Sequence, residues 1–170
     1  MPDLALRSDR AANVRGAEQL GFTRTATLPT LGRDDVLVIA DDDFEGLDSA
    51  SLGGATVILI GTTFPPALAQ LVAVALPVTN FAEEEGTFTN LRGRVQRFMQ
   101  AKAAPGLARP TWYVLTDLLA ALGQPEAFFL ASEVFTALAA AEEGYAGMAY
   151  ETLGLRGLPI VETESAGRAS

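Results

Sequence analysis

The sequence predicts an α/β fold: a mainly parallel sheet, a β-hairpin, and a helical C-terminal extension. Two short aliphatic runs, 35–40 (DVLVIA) and 56–60 (TVILI), read as strands covered on both faces, as parallel strands are. A strand–loop–helix–strand rhythm over 56–77 reads as a βαβ unit, which implies parallel pairing through a right-handed crossover. Beyond position 110 the apolar spacing becomes helical.

Taken in order, Ser8 or Asp9 can cap a first helix that runs to Leu20 and stops at Gly21. Residues 22–34 contain Pro29 and Gly32 and read as a loop. The strand at 35–40 ends directly in Asp41-Asp42-Asp43, and 44–54 is turn-rich. After the strand at 56–60, Thr62 or Thr63 can cap a helix with Pro65 near its first turn, reaching about Val72. Val72 to Leu76 is a third strand, ended by Pro77. Thr87–Thr89 and Arg94–Phe98 alternate apolar and polar side chains around Asn90-Leu91-Arg92-Gly93, which predicts a hairpin with a turn longer than the tight Asn-Gly type.

Residues 101–109 form a loop with Pro105-Gly106. Pro110 opens a helix with Val114, Leu115, Leu118, Leu119 and Leu122 on one face, stopped by Gly123. Pro125 opens another helix to about Glu143, burying Phe128, Phe129, Val134, Phe135 and Leu138. A short third helix is expected from Tyr145 to Leu153. The expected division is an α/β portion with hairpin at 1–109, a helical extension at 110–160 and a flexible tail at 161–170.

Composition narrows the chemistry. The 170 residues carry a net charge of −9, with no histidine and no cysteine. Such a chain repels phosphate backbones, so nucleic-acid binding is disfavoured. Without cysteine there are no disulfides and no thiolate-held iron–sulfur cluster, and Cys/His zinc sites are excluded. The common imidazole and thiol machinery is missing, leaving carboxylates, Ser/Thr, Lys102 and tyrosines. No run reaches the roughly 18 apolar residues of a membrane span, and the start lacks the apolar core of a signal peptide. A soluble, cytoplasmic chain is expected.

Several clusters carry candidate chemistry beside a plainer reading. Asp41, Asp42 and Asp43 end a parallel strand, where α/β ligands bind, and could hold a ribose hydroxyl or a hard metal ion. A solvated turn explains them more simply. Gly61-Thr62-Thr63 lies where a phosphate could meet a helix N-terminus, but there is neither G-x-G-x-x-G nor a Walker lysine, and a plain N-cap suffices. Glu83-Glu84-Glu85 could do acid–base work if one were buried, and a solvated acidic loop is preferred. Arg92, Arg94 and Arg97 could clamp an anionic group or pair with those glutamates. Trp112, Tyr113, Tyr145 and Tyr150 read as packing anchors.

The combined pattern resembles the molybdopterin oxidoreductase superfamily, and most closely the C-terminal region of the largest iron–sulfur subunit of bacterial NADH:quinone oxidoreductase, respiratory complex I. The residues that carry the resemblance are VAVALP at 72–77 and FAEEEGTFTNLRGRVQ at 81–96, matching a strand and a G-T-x-x-N-x-E-G-R-V-Q core. APGLARPTWYVLTDLLAALG and ASEVFTALAAAEEGYAGMAYETLG (131–154) follow in the family's order. NVRGAEQLG at 13–21 resembles a weaker N-x-x-G-A-x-x-L-G segment. Departures are Ala73, where relatives often carry an acid, and Leu91-Arg92, where they carry x-Glu.

The resemblance implies a Rossmann-like fold and a scaffolding role in the peripheral arm, peripheral to the inner face of the cell membrane. It implies contacts with other subunits of that arm, no direct membrane insertion, and no cofactor in this chain, with iron–sulfur clusters elsewhere. No catalytic residue and no metal ligand is assigned. Gly86, Thr87, Asn90, Gly93 and Arg94 are expected to hold the loop and hairpin first and to line a cofactor cleft second. The alternative is a fragment of a molybdopterin-dependent, formate dehydrogenase-like oxidoreductase in which Glu85 to Arg94 line a pterin cleft. A small-ligand module built on Asp41 to Asp43 is the remaining rival.

Overall fold

A computed structural model describes residues 12–25, 27–40, 50–66, 69–124, 127–154 and 156–161. The chain forms two compact units. One comprises 24–85 and 99–131; the other comprises the N-terminal segment to Thr23, 86–98 and the chain from Ser132 onward.

The first unit holds the parallel sheet. Strands β1 (Val36–Ala40), β2 (Thr56–Gly61) and β3 (Val72–Pro77) pair in sequence order, all parallel. Val38 lies opposite Ile58 and Ile58 opposite Val74; Gly61 lies opposite Pro77. The mainly parallel α/β expectation therefore holds. Ile39, Val57 and Leu59 form one buried face with Leu52 from the preceding turn, and Leu31, Leu37, Leu71 and Val72 pack around them. The reverse face is covered only in part, against the expectation of cover on both sides: Ile60 on it is 1% exposed. Val36, Val38 and Val74 are 59%, 46% and 46% exposed. A β-branched run reports fit to a pleated surface, and both β1 and β3 are edge strands with one neighbour each.

The expected crossover helix is also corrected. Among the described residues of 62–71 there is no α-helix: Thr62 and Thr63 bend, and Ala69 N–H donates to the Pro66 carbonyl at 3.2 Å in a turn. The tandem Pro65-Pro66 removes two donors and pushes the preceding backbone out of the helical region. Asp41 to Asp43 lie outside the described residues.

Helix α2 (Thr111–Ala121) begins after Pro110 as expected. It ends in a left-handed Gly123, φ +85°, with Gly123 N–H donating to the Ala120 carbonyl and Gln124 N–H to that of Leu119. Its burial follows the expected stripe only in part: Val114 and Leu118 are half-buried. Thr116 is its buried residue, whereas Leu115, Leu119 and Leu122 are 41%, 46% and 72% exposed.

The second unit is built on the predicted hairpin. Strands β4 (Gly86–Thr89) and β5 (Arg94–Phe98) pair antiparallel, with Gly86 opposite Phe98 and Thr89 opposite Val95; a short β6 (Leu158–Pro159) adds to β5. Helix α1 (Val14–Gln19) stops before Gly21, φ +83°; its expected caps Ser8 and Asp9 lie outside the described residues. Helix α3 (Ala131–Ala141) starts later than the Pro125 expectation. Residues 127–130 are not helical, and Glu133 supplies the first-turn acid that favours the later start. The helix expected at 145–153 is two 3-10 turns, Glu143–Tyr145 and Tyr150–Thr152, parted by Gly147 at φ +77°. Tyr145 and Tyr150 are buried against Phe135, with centroids 6.4 and 5.9 Å from its ring, as packing anchors should be.

Candidate functional site

The hairpin turn is organised by Asn90. Its Oδ1 accepts the backbone N–H of Arg92 at 2.9 Å and of Arg94 at 3.1 Å, while its Nδ2 donates to Gln96 Oε1 at 2.8 Å. A short polar side chain that bonds its own downstream backbone is what a four-residue turn needs. Gly93 closes the turn at φ +70°, and a Cβ there would press on Ile160 at 3.2 Å. Gly86 sits beneath the Phe98 ring, 3.0 Å from where a Cβ would be. Arg94 points to neither Glu83 nor Glu84; Nε donates to the Arg156 carbonyl at 3.1 Å and Nη2 to that of Gly157 at 2.6 Å. Arg97 lies over the Tyr150 ring at 4.2 Å. Thr87 is half-buried opposite Arg97, and Arg92 is exposed. Gly86, Thr87, Asn90, Gly93 and Arg94 are thus gathered in one hairpin. The side chains of Asn90 and Arg94 are engaged by the protein itself.

Asn13 is a residue whose role sequence reasoning missed. Its Oδ1 accepts Thr89 N–H at 2.7 Å, and it adopts a left-handed φ of 61° to do so. Thr89 is buried, and its hydroxyl lies 3.2 Å from Tyr145 Oη. Gly16 leaves room for this arrangement, because a Cβ there would collide with Asn13 Oδ1 and approach Thr89 Oγ1 at 3.1 Å. The N-x-x-G spacing of Asn13 and Gly16 was the available signal; their partner is 76 residues away.

The first unit contains a different polar cluster. Glu83 is not a solvated loop carboxylate. It is 5% exposed; Oε1 accepts Lys102 Nζ at 3.1 Å and Oε2 accepts Asn80 N–H at 3.2 Å. The Lys102 ammonium and then the Asn80 amide hold its pKa below the ordinary carboxylate value. Gln100 Nε2 donates to the Glu83 carbonyl at 3.0 Å, and Ala101 and Lys102 N–H both donate to that of Ala82. Glu84 Oε2 accepts Thr79 Oγ1 at 2.9 Å and Thr111 N–H at 3.1 Å, so it caps α2 from a distant loop, where Pro110 offers no side-chain cap. The partners that satisfy these carboxylates make them structural ties.

At the carboxyl edge of the parallel sheet a cavity of about 200 Å³ is lined by Leu59, Gly61, Thr62, Thr63, Phe64, Ala75, Leu76 and Pro77. This is the edge where open α/β sheets take ligands. Because no α-helix follows Thr63 among the described residues, the helix N-terminus expected for a phosphate is not there. No group of three or more Asp, Glu, His or Cys that could hold a metal ion occurs among the described residues. No described helix is long and apolar enough to cross a membrane.

Residues 54–121 match the family model Molybdopterin oxidoreductase. The chain is 36% identical over 146 residues to F420-dependent formate dehydrogenase 2 subunit alpha of Methanococcus maripaludis, covering 85% of this chain and 20% of that protein. It is 29% identical over 128 residues to the putative formate dehydrogenase YrhE of Bacillus subtilis, covering 72% of this chain and 13% of that protein. Over 91 residues it is 35% identical to the assimilatory nitrate reductase catalytic subunit of Bacillus subtilis, covering 50% and 13%. The chain spans a fifth or less of the length of these relatives. They include formate dehydrogenases rather than the complex I subunit to which the sequence motifs pointed. The match over residues 54–121, together with these relatives, makes the molybdopterin oxidoreductases the proteins this chain is similar to.

Proposed function

We propose that this chain serves as a wall of the cofactor cleft in a formate dehydrogenase-like, molybdopterin-dependent oxidoreductase. The observation that carries this reading is the match of 85% of the chain, at 36% identity, to a formate dehydrogenase alpha subunit. The fit of a pterin cofactor to the residues present is partial. The sheet-edge cavity of about 200 Å³ is smaller than the roughly 300–1,000 Å³ of a typical ligand site, so this chain would hold one edge of the group. Gly61 allows close backbone approach and Thr62 and Thr63 bring hydroxyls, a donor set suited to neutral polar edges. In the hairpin, the side chains of Asn90 and Arg94 are engaged by the turn and by backbone carbonyls. When bound, the cofactor would supply the redox chemistry. This chain would bind and orient it, and its lack of histidine and cysteine fits that division of work.

A partner-subunit setting goes with this reading, since the alpha subunit it resembles is by name one component of an enzyme. The complex I peripheral-arm scaffold, with its quinone and membrane-face location, takes second place because it rests on motif resemblance alone. The test is to isolate the protein together with the polypeptides it assembles with. Stoichiometric molybdenum and pterin with formate-dependent dye reduction are expected. NADH oxidation without molybdenum would instead favour the complex I role.

A further inference from the structure

Lysine is almost absent from this chain. Of its twelve basic side chains eleven are arginine, and the single lysine is Lys102. It stands in the polar cluster of the first unit. Its side chain is 68% exposed, yet its Nζ lies 3.1 Å from Oε1 of Glu83, whose side chain is 5% exposed. An arginine would serve a carboxylate at least as well, with five donors and a charge that is never lost. What lysine alone adds is an amine that can be acylated, and acylation removes the charge.

The neighbours set the consequence of that loss. Glu83 Oε2 accepts Asn80 N–H at 3.2 Å, and Glu83 N–H donates back to the Asn80 carbonyl at 2.8 Å. Ala101 and Lys102 N–H both donate to the Ala82 carbonyl, so the turn at 80–83 and the segment 100–102 form one clasp. A carboxylate held from water without its cation either stays uncompensated or swings outward and releases Asn80. Glu84 follows on the same loop. Its Oε2 accepts Thr79 Oγ1 and the Thr111 N–H that starts α2.

We propose that Lys102 is a site of Nε-acylation by an activated acyl group, an acyl phosphate or an acyl thioester, and that acylation unclasps the 80–85 loop from α2. The unprotonated amine attacks the acyl carbon and a C–N bond forms. The bond from that carbon to the phosphate oxygen or thioester sulfur breaks, its electron pair leaves with that atom, and the amine proton passes to solvent. No oxidant or reductant takes part. The exposed side chain gives the donor access, and an ion pair with one exposed partner opens readily. The proposal stands apart from the cofactor reading, since it concerns the ties of Glu83 and not the cavity at the sheet edge.

The purified chain is incubated at mildly alkaline pH with acetyl phosphate in one arm and the acetyl thioester of N-acetylcysteamine in the other. Nα-acetyl-lysine amide is the internal standard in both. Mass spectrometry of peptides reads acetylation at Lys102 separately from any amino-terminal product. Lys102 should react within about tenfold of the standard's rate, and the faster donor names the source. Reaction slower than that with both donors overturns the proposal. Hydrogen exchange then follows the acetylated protein. The Asn80 and Thr111 amides should exchange about tenfold faster, while the Thr89 amide in the other unit keeps its protection. Lys102→Gln should reproduce this pattern, and Lys102→Arg should keep the natural protection and resist both donors. Acetylated protein with unchanged exchange at Asn80 and Thr111 overturns the proposal whether or not Lys102→Gln folds. Loss of Thr89 protection as well also overturns it, because the chain has then unfolded as a whole.

Discussion

Asn13 holds an unfavourable left-handed backbone in exchange for a 2.7 Å bond to Thr89 N–H beside the buried Thr89–Tyr145 hydroxyl pair. Asn13→Ala leaves that amide without its acceptor and keeps the strain, so it should lower stability by about 1–3 kcal/mol in urea denaturation. Glu83 gives the first unit one pH-dependent tie, to Lys102. Its folded pKa lies below the ordinary value of 4.5, so its stabilisation is present above that value and lost as pH falls through the lower folded pKa. Melting temperature followed downward from pH 6 should therefore drop more steeply below pH 4.5 for the natural chain than for Glu83→Gln. Matching curves would show that the Lys102 pair contributes nothing.

The hairpin and the parallel strands were legible because local patterning decides them. Alternation and turn chemistry put Thr87–Thr89 and Arg94–Phe98 within a residue of their strands, and Gly21 and Gly123 ended their helices as expected. The elements misjudged were those whose outcome depends on competing local terms: the Pro65-Pro66 crossover, the late start of α3 and the 3-10 turns around Gly147. The short β6 was not foreseen, since two residues carry no pattern. Its attachment depends on Gly157, at φ +67°, where a Cβ would collide with the Val95 carbonyl oxygen. Gly157→Ala should cost more than about 1 kcal/mol and release the β5 amides at Val95 and its neighbours, as hydrogen exchange would show.

For the molecule as a whole, charge governs behaviour in solution while apolar surface governs association. With a net charge of −9 and a pI near 4.4, self-repulsion keeps the chain dispersed at neutral pH, and light scattering should find its solubility minimum near pH 4.4.

The sequence by itself determined the α/β class, the parallel pairing, the hairpin with its Asn90-to-Gly93 turn, and the superfamily motif, because each is written in contiguous residues whose local geometry has few solutions. Tertiary structure alone decided which glutamate is buried, that Glu84 caps a helix 27 positions away, and that Arg94 binds the carbonyls of Arg156 and Gly157 rather than an acid. It also decided which apolar face is covered. The leucines of α2 and the valines of β1 have the composition of a core, and composition cannot say whether a neighbour arrives. Burial is a property of pairs of distant segments, and it is fixed only when the chain brings them together.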